Sequence, residues 1–242
     1  MIEATKQLSE ATIRIEQAAA IPAIQLKGVT KHFGDGNLRV TAIQEISLVI
    51  NKREFAILVG PSGSGKSTLL NIIAGLEVAT DGEILIDGEP LGCMSDKALS
   101  RWRAQHVGLM FQSHNLIPVL SSYQNVELPL TLKKCPRKER RNRTLQALER
   151  VGLSERLHHY PNQLSLGEQQ RVAIARSVVH DPAMVILDEP TGNLDRRNAD
   201  EILGLLKSLN RELEKTIIMV THDASAIEYA TKVFELNKGV LR

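Results

Sequence analysis

The nine residues GPSGSGKST, from Gly60 to Thr68, have the types and the spacing of a loop that binds phosphate groups. Glycines here let successive backbone N–H groups turn towards an anion without a clash from a Cβ atom. Lys66 can reach the terminal phosphates of a nucleotide, and the hydroxyl of Ser67 is a ligand for Mg²⁺. A glycine-rich turn that merely joins a strand to a helix would leave Lys66 unexplained. We therefore predict a nucleotide and Mg²⁺ site formed by Gly60, Ser62, Gly63, Ser64, Gly65, Lys66, Ser67 and Thr68.

Two adjacent carboxylates, Asp188 and Glu189, follow the apolar run AMVIL. Carboxylates at the end of a buried strand are costly unless a cation or a proton compensates them. Asp188 is therefore a candidate Mg²⁺ ligand, and Glu189 is a candidate for the group that orients and polarises an attacking water. His222 ends a similar run. The alternatives are a helix cap at the two carboxylates and an ordinary hydrogen-bonded polar side chain at His222.

Three short apolar runs predict the strands that would bring these residues together. They cover Phe55 to Val59, Ala183 to Leu187 and Thr216 to Val220, and each is bounded by turn or polar residues. Such runs are typical of parallel strands that are covered on both faces. Because ligands collect outside the carboxyl ends of parallel strands, we expect the loop, the two carboxylates and the histidine at one edge of the sheet.

The remaining patterns predict an antiparallel β edge and a helical insertion. Apolar residues alternate in 24–29 and 46–50, which indicates two half-buried strands joined by the turn GDGN. Ahead of the strand at 183–187 the pattern is mostly helical, with Pro136 suited to a first helical position and Gly152 to a terminator. We expect one α/β domain over residues 23–242, with a helical subdomain inserted at about 116–181. The N-terminal extension, residues 1–22, is expected to form a loosely attached helix.

A second candidate anion site lies in LSLGEQQ, where Ser165 and Gly167 begin a helical pattern. The N-terminus of a helix favours an anion, so a chain with a single phosphate-binding loop has two places to hold phosphate. Each place would then serve a different molecule's ATP. At this point the sequence resembles the ATP-binding cassette (ABC) family, whose signature is LSGGQ, from about Ala23 to Arg242. Leu166 departs from the family pattern, where glycine is usual, and predicts hydrolysis slower than the family norm.

The resemblance implies roles for further residues. Phe33, in KHFG, matches the aromatic residue that stacks on adenine, and Gln112, in MFQSHN, matches a glutamine that senses Mg²⁺ and faces the membrane partner. The alternative for Phe33 is a core aromatic residue, and the alternative for Gln112 is an exposed polar residue. The other matches are Glu168 in the signature, where glutamine is usual, Glu189 as the catalytic glutamate, Asp195 in GNLD, and His222 as the switch histidine.

The function implied by this resemblance is that of a P-loop ATPase with ATP and Mg²⁺ as cofactors. Two copies would pack head to tail around two ATP molecules, with a related partner chain in the second position as the alternative. The pair would drive a separate integral membrane permease from the cytoplasmic face of the plasma (inner) membrane. The motifs MFQSHN, LSLGE and GNLD, with the residues around them, are similar to the MacB, LolD and FtsE branch, whose ATPases drive export, lipoprotein extraction or mechanotransmission. A periplasmic adaptor, reached through the permease, belongs to the same expectation.

Other functional classes fit the sequence less well. A soluble ABC ATPase acting on ribosomes or DNA is the alternative, but such proteins usually carry two cassettes or a long coiled-coil insertion, and neither occurs here. A P-loop kinase or GTPase has no use for LSLGE. No apolar run approaches the ~20 residues of a membrane-spanning helix, and Cys93 and Cys135 have no metal or redox spacing.

One strongly basic segment runs from Lys133 to Arg143, KKCPRKERRNR, in a chain whose formal net charge is only +2. No aromatic residues interleave with the cations, so we do not expect a nucleic-acid groove. The segment is either a solvated helix face or a contact with lipid headgroups or an acidic partner.

Overall fold

The computed structural model describes residues 21–113 and 115–242, so the helix expected in the N-terminal extension lies outside the described residues. The first sheet consists of β1 (Ile24–Phe33), β2 (Val40–Ile50), β4 (Asp81–Ile86) and β5 (Glu89–Pro90). Its strands are antiparallel in the order β2-β1-β4-β5. The predicted antiparallel pair is confirmed, but it belongs to a sheet of its own and is not an edge of the parallel sheet.

The second sheet carries the phosphate-binding loop and the carboxylates. It consists of β3 (Phe55–Val59), β6 (Val107–Met110), β7 (Met184–Asp188), β8 (Thr216–Thr221), β9 (Lys232–Asn237) and β10 (Val240–Leu241). The order is β10-β9-β3-β8-β7-β6, and every pair is parallel except β10 with β9. The three predicted parallel strands are confirmed to within one residue, whereas β6 and β9 were not predicted.

Six α-helices lie within the described residues: α1 (Lys66–Ile73), α2 (Asp96–His106), α3 (Ser122–Leu132), α4 (Arg137–Arg150), α5 (Leu166–Val178) and α6 (Arg196–Glu212). Helices α3, α4 and α5 occupy the stretch where a helical insertion was predicted. Pro136 is the cap residue before α4, one position earlier than predicted. Gly152 has a φ of +74° just after this helix, as suits a terminator.

Alternate residues of the central strands face two different hydrophobic clusters. Phe55 and Ile57 pack with the helical layer of α3 to α6, whereas Ala56 and Leu58 pack with α1 and the antiparallel sheet. All four side chains are fully buried. Burial on both faces explains why β3 reads as a continuous apolar run, and it fixes the strand from which the phosphate-binding loop emerges.

The basic segment begins at Lys133, the cap residue after α3, and covers the turn that follows and the first half of α4. Arg140 pairs with Glu127 at 2.8 Å and Arg143 pairs with Glu139 at 2.6 Å. Most of its remaining cations are exposed, as expected for a solvated helix face. No helix within the described residues is both long and apolar enough to cross a membrane.

Candidate functional site

The phosphate-binding loop joins β3 to α1, and its shape depends on glycine at two positions. Gly65, the residue that caps α1, has a φ of +97°, which other residues rarely adopt. A Cβ atom there would lie 2.4 Å from the carbonyl oxygen of Ala42, and one at Gly60 would lie 2.1 Å from the carbonyl oxygen of Leu236. The backbone of the loop is therefore held in its curved form by its neighbours.

The turn between β9 and β10 braces this loop from outside. The N–H of Gly239 donates to the carbonyl oxygen of Ser64 at 3.0 Å, and the N–H of Gln44 donates to the carbonyl oxygen of Gly239 at 2.8 Å. Gly239 has a φ of +80°, as a tight turn requires. Sequence reasoning missed this supporting residue, although the turn sequence NKGV was a usable signal.

The loop has the donors that a phosphate group needs. The first N–H groups of α1 have no partner within the helix, and no side chain among the described residues caps them. The hydroxyl of Ser64 is buried and has no hydrogen-bond partner in the part of the chain that the structure describes. Lys66 is buried, and its Nζ donates to the carbonyl oxygens of Gly60 at 2.8 Å and Pro61 at 3.0 Å. This cradle of donors and one ammonium group fits an anion.

The residues predicted to hold Mg²⁺ include two that are in contact. The hydroxyl of Ser67 donates to Oδ1 of Asp188 at 3.3 Å, across from the end of β7. Burial raises the pKa of Asp188 and the charge of Glu189 adds to this effect, while Ser67 and Lys66 act in the opposite direction. A half-buried carboxylate beside a hydroxyl is a hard oxygen site that suits Mg²⁺, which completes its shell with water and phosphate oxygens.

Glu189 and His222 also lie together. Nδ1 of His222 is 3.0 Å from Oε2 of Glu189. Glu189 has a φ of +51°, and its N–H donates to the carbonyl oxygen of Val220 at 3.0 Å. A glutamate in the left-handed region is strained and persists because its surroundings fix it. The prediction that the carboxylates and the histidine meet at one edge of the sheet is therefore confirmed.

The second candidate anion site is a well-capped helix start. Ser165 caps α5, and its side chain accepts from the N–H of Glu168 at 3.3 Å, while Glu168 accepts from the N–H of Ser165 at 2.9 Å. Leu166 is the first residue of α5 and is not among the residues with a positive φ, so the backbone at this position does not require glycine. Within the described residues, no hydrogen bond or ion pair joins this helix start to the phosphate-binding loop.

Three further predicted residues lie around these sites. Asp195 caps α6 by accepting from the N–H of Asn198 at 2.9 Å, and this bond is the main reason that its pKa is lowered. Phe33 ends β1 with 43% of its surface exposed, and Nζ of Lys31 lies 4.9 Å from the ring centre. Gln112 is exposed and follows β6, the neighbour of β7 at the same sheet edge.

Comparisons with known proteins agree with this geometry. A family model described as ABC transporter matches residues 43–192. The uncharacterized ABC transporter ATP-binding protein YbbA of Escherichia coli is 45% identical over 90% of this chain and 96% of its own. The macrolide export ATP-binding/permease protein MacB of E. coli is 42% identical over 89% of this chain, which corresponds to 33% of that longer protein.

Solved structures show the same fold. The dimeric ABC transporter cassette MJ0796, from Methanocaldococcus jannaschii, has a TM-score of 0.84 and 42% identity over 90% of this chain and 96% of its own. A second dimeric structure of that cassette, in a post-hydrolysis state bound to ADP and phosphate, has a TM-score of 0.82, with 40% identity and the same coverage of both chains. The ABC cassette fold of this chain follows from these matches.

Proposed function

This chain belongs to the ABC transporter family as an ATP-binding, ATP-hydrolysing subunit, and on that premise we propose that two copies close around two ATP molecules to drive a separate membrane protein. The observation that carries the proposal is the meeting of four groups at one sheet edge. Ser67 contacts Asp188, and Glu189 contacts His222, at the ends of three neighbouring parallel strands. The relatives named above are transporter cassettes, so the alternative of a ribosome or DNA factor is not carried forward.

The phosphate-binding loop holds the nucleotide in this proposal. Lys66 exchanges its contacts with Gly60 and Pro61 for the β- and γ-phosphates, and the N–H groups at the start of α1 donate to the same phosphates. Ser67, Asp188 and Gln112 hold Mg²⁺, which neutralises charge on the phosphate oxygens. Phe33 offers an exposed ring at the end of β1 for stacking on adenine.

Hydrolysis depends on the pair at the ends of β7 and β8. The Oε atoms of Glu189 accept a hydrogen bond from a water molecule and polarise it for attack on the γ-phosphorus. The oxygen of the water bonds to that phosphorus while the bond from the phosphorus to its bridging oxygen breaks, and the proton of the water passes to Glu189, which leaves ADP and phosphate. His222 holds the Glu189 carboxylate through the 3.0 Å contact and thereby orients it.

The start of α5 supplies the second grip, on the ATP of the opposite copy. Gly167 has no positive φ, and a Cβ atom there would meet only the side chain of Asn198, with Oδ1 at 3.7 Å and Cγ at 4.0 Å, which are ordinary contacts. Nothing within the described chain therefore requires glycine at this position, which supports the close approach of a group from outside. Ser165 would donate its hydroxyl to the γ-phosphate, and Asp195 would lie at the same interface.

A groove of about 530 Å³ is the proposed docking site for the membrane permease. It lies between α2, β6, α3 and α5, and its apolar lining includes Leu109, Phe111, Leu128 and Leu132. Leu132 is 76% exposed beside the other apolar residues of the groove, so the groove presents apolar surface to a partner. Docking there would hold the cassette at the cytoplasmic face of the inner membrane, where the permease performs export, lipoprotein extraction or mechanotransmission, with a periplasmic adaptor on its far side.

Affinity purification from solubilised membranes tests this proposal. We expect the chain to co-purify with an integral membrane protein, and Leu132→Asp to lose that protein while keeping ATP binding. Val78→Asp is the matched control, because Val78 is also exposed but lies outside the groove. Co-purification with ribosomes or DNA, and with no membrane protein, would refute the proposal.

A further inference from the structure

Both carboxylate oxygens of Glu168 are engaged at the start of α5. Oε2 accepts from the N–H of Ser165 at 2.9 Å, and Oε1 accepts from Nε of Arg156 at 2.9 Å. The pKa of Glu168 is lowered, first by the bond from Arg156 and then by the bond from the Ser165 backbone. The side chain is therefore an ionised carboxylate held at two points.

This arrangement limits the hydrogen bonds that the hydroxyl of Ser165 can make. Its Oγ already accepts from the N–H of Glu168 at 3.3 Å. A hydroxyl has one hydrogen to donate besides its acceptor lone pairs. The reciprocal bonds of this capping box hold the serine in one orientation, which leaves its hydrogen for an acceptor in front of the helix.

The negative charge of the Glu168 carboxylate opposes the binding of a phosphate group at the Ser165 hydroxyl. A negative charge in the first turn stabilises a helix, but it repels a phosphate group that approaches the same N-terminus. A glutamine would make the capping box without the charge. The guanidinium of Arg156 lies on the opposite oxygen and compensates the charge, in an ion pair whose side chains are 44% exposed for Arg156 and 26% for Glu168.

The backbone around Arg156 is itself tied to the helical layer. The 3₁₀ turn Ser154–Arg156 precedes Leu157 and His159, whose carbonyl oxygens accept from the N–H groups of Tyr123 at 2.9 Å and Ser122 at 2.8 Å. These bonds attach the segment to the first turn of α3. Arg156 is therefore anchored beside α5 before any second copy arrives.

We propose that Arg156 is a positioning residue for the grip on the opposite copy's ATP: it cancels the charge of Glu168 and holds this side chain so that Ser165 presents its hydroxyl to the γ-phosphate. This inference rests on the proposed function, because it requires closure of two copies around ATP. It predicts that the need for Arg156 depends on the charge at position 168.

A double-mutant cycle tests the dependence. Arg156→Ala, Glu168→Gln and the double variant are made in a Glu189→Gln background, and dimer formation with ATP and Mg²⁺ is measured by analytical ultracentrifugation. We expect Arg156→Ala to weaken association about tenfold or more when Glu168 is intact, and by less than about threefold when it is combined with Glu168→Gln. Arg156→Lys, which keeps the charge, should restore most of the association.

Two measurements keep the outcomes distinct. Thermal unfolding and binding of a fluorescent ATP analogue to the monomer show whether each variant is folded, and Arg141→Ala removes an exposed charge from the same helical layer as a control. An equal loss in both backgrounds overturns the inference and leaves the proposed function intact. Failure of the Glu189→Gln protein to associate at all, with monomer binding intact, overturns both.

Discussion

The imidazole of His222 contacts the carboxylate of Glu189 at 3.0 Å, and the two residues leave the carboxyl ends of neighbouring parallel strands. The side chain of Glu189 is 12% exposed, whereas that of His222 is 64% exposed. The glutamate is thus enclosed by its own chain and the histidine faces outwards. This pair places a fixed carboxylate next to an exposed imidazole.

We expect Glu189→Gln to lower ATP turnover by about a hundredfold or more, because an amide cannot accept the proton of the attacking water. ATP binding should be retained, and the protein should accumulate as a closed dimer with ATP. Phosphate release assays and size-exclusion chromatography measure the two effects. Normal hydrolysis by this variant would refute the role of Glu189, and Glu89→Gln, at an exposed glutamate of β5, is the control.

We expect Lys66→Ala to weaken ATP binding by about 2–3 kcal/mol, or roughly 30- to 150-fold, because it removes charge-assisted hydrogen bonds to the phosphates. Isothermal titration calorimetry with ATP and Mg²⁺ measures the change. Lys97→Ala, at an exposed lysine on α2, should bind ATP as the parent does. Equal affinity of the two variants would contradict the assignment of this loop.

Replacing glycine by alanine at two positions outside the site should change the free energy of unfolding in opposite directions. Gly204 lies within α6 and a Cβ atom there meets nothing within 4 Å, so Gly204→Ala should stabilise the fold by about 0.5–1 kcal/mol. In β6, a Cβ atom at Gly108 would lie 2.0 Å from the carbonyl oxygen of Ser177, so Gly108→Ala should destabilise by about 1–3 kcal/mol. Urea unfolding measures both free energies, and a shared sign would contradict the packing described here.

Leu166→Gly is predicted to raise ATP turnover. Leu166 has no positive φ and its side chain stands at the first turn of α5, so we expect its effect to arise where a second copy approaches. A bulky group there would hinder the approach of the opposite copy's ATP. Steady-state ATPase assays test this, with Leu166→Ala as an intermediate case; an unchanged turnover means that the leucine does not slow hydrolysis.

The stability of the protein should fall between about pH 6.5 and pH 4 because of His180. Burial lowers the pKa of this histidine to about 4 in the folded state, with positive charge from Lys133 and Lys215 acting in the same direction and Asp181 opposing it. Between these pH values the unfolded chain binds more protons than the folded chain, so a falling pH favours unfolding. Burial of neutral His180 therefore costs no stability above about pH 6.5, and the free energy of unfolding falls by about 3 kcal/mol as the pH is lowered to about 4.

Unfolding experiments at several pH values measure this contribution. His180→Leu should show a shallower loss of stability between pH 6.5 and 4 than the parent protein does. His158→Leu, at an exposed histidine, is the control and should keep the slope of the parent. If the free energy of unfolding depends on pH in the same way in all three proteins, His180 is not the source of this dependence.

The sequence predicted the central strands well because they are buried on both faces, and their apolar runs are uninterrupted. It missed β6, Val107–Met110, because four residues with a central glycine give no periodic signal. That glycine is present because the carbonyl oxygen of Ser177 comes too close for a side chain. Only the packing of α5 on the sheet reveals this constraint.

The site was predictable where a motif or the end of an apolar strand carries the chemistry, and it was not predictable where supporting residues pack around that chemistry. The phosphate-binding loop was recognisable from Gly60 to Thr68, and its turns depend on glycine as expected. The brace from Gly239 to Ser64 joins residues that are far apart in the chain, and Arg156 and Glu168, which are 12 positions apart, lie in different elements. The sequence NKGV marks a turn but not the loop that the turn contacts, and the pairing of Arg156 with Glu168 leaves no periodic trace, because both contacts depend on tertiary structure.

The alternation of side chains along β3 has a consequence for substitutions in this strand. Phe55 and Ile57 pack with α3 and α5, two of the helices that border the proposed permease groove, while Ala56 and Leu58 pack with α1 behind the nucleotide loop. A change of side-chain volume in β3 should therefore act first on one layer or the other, according to whether the position is odd or even. This five-residue strand joins the two layers through its backbone, and its side chains keep their cores separate.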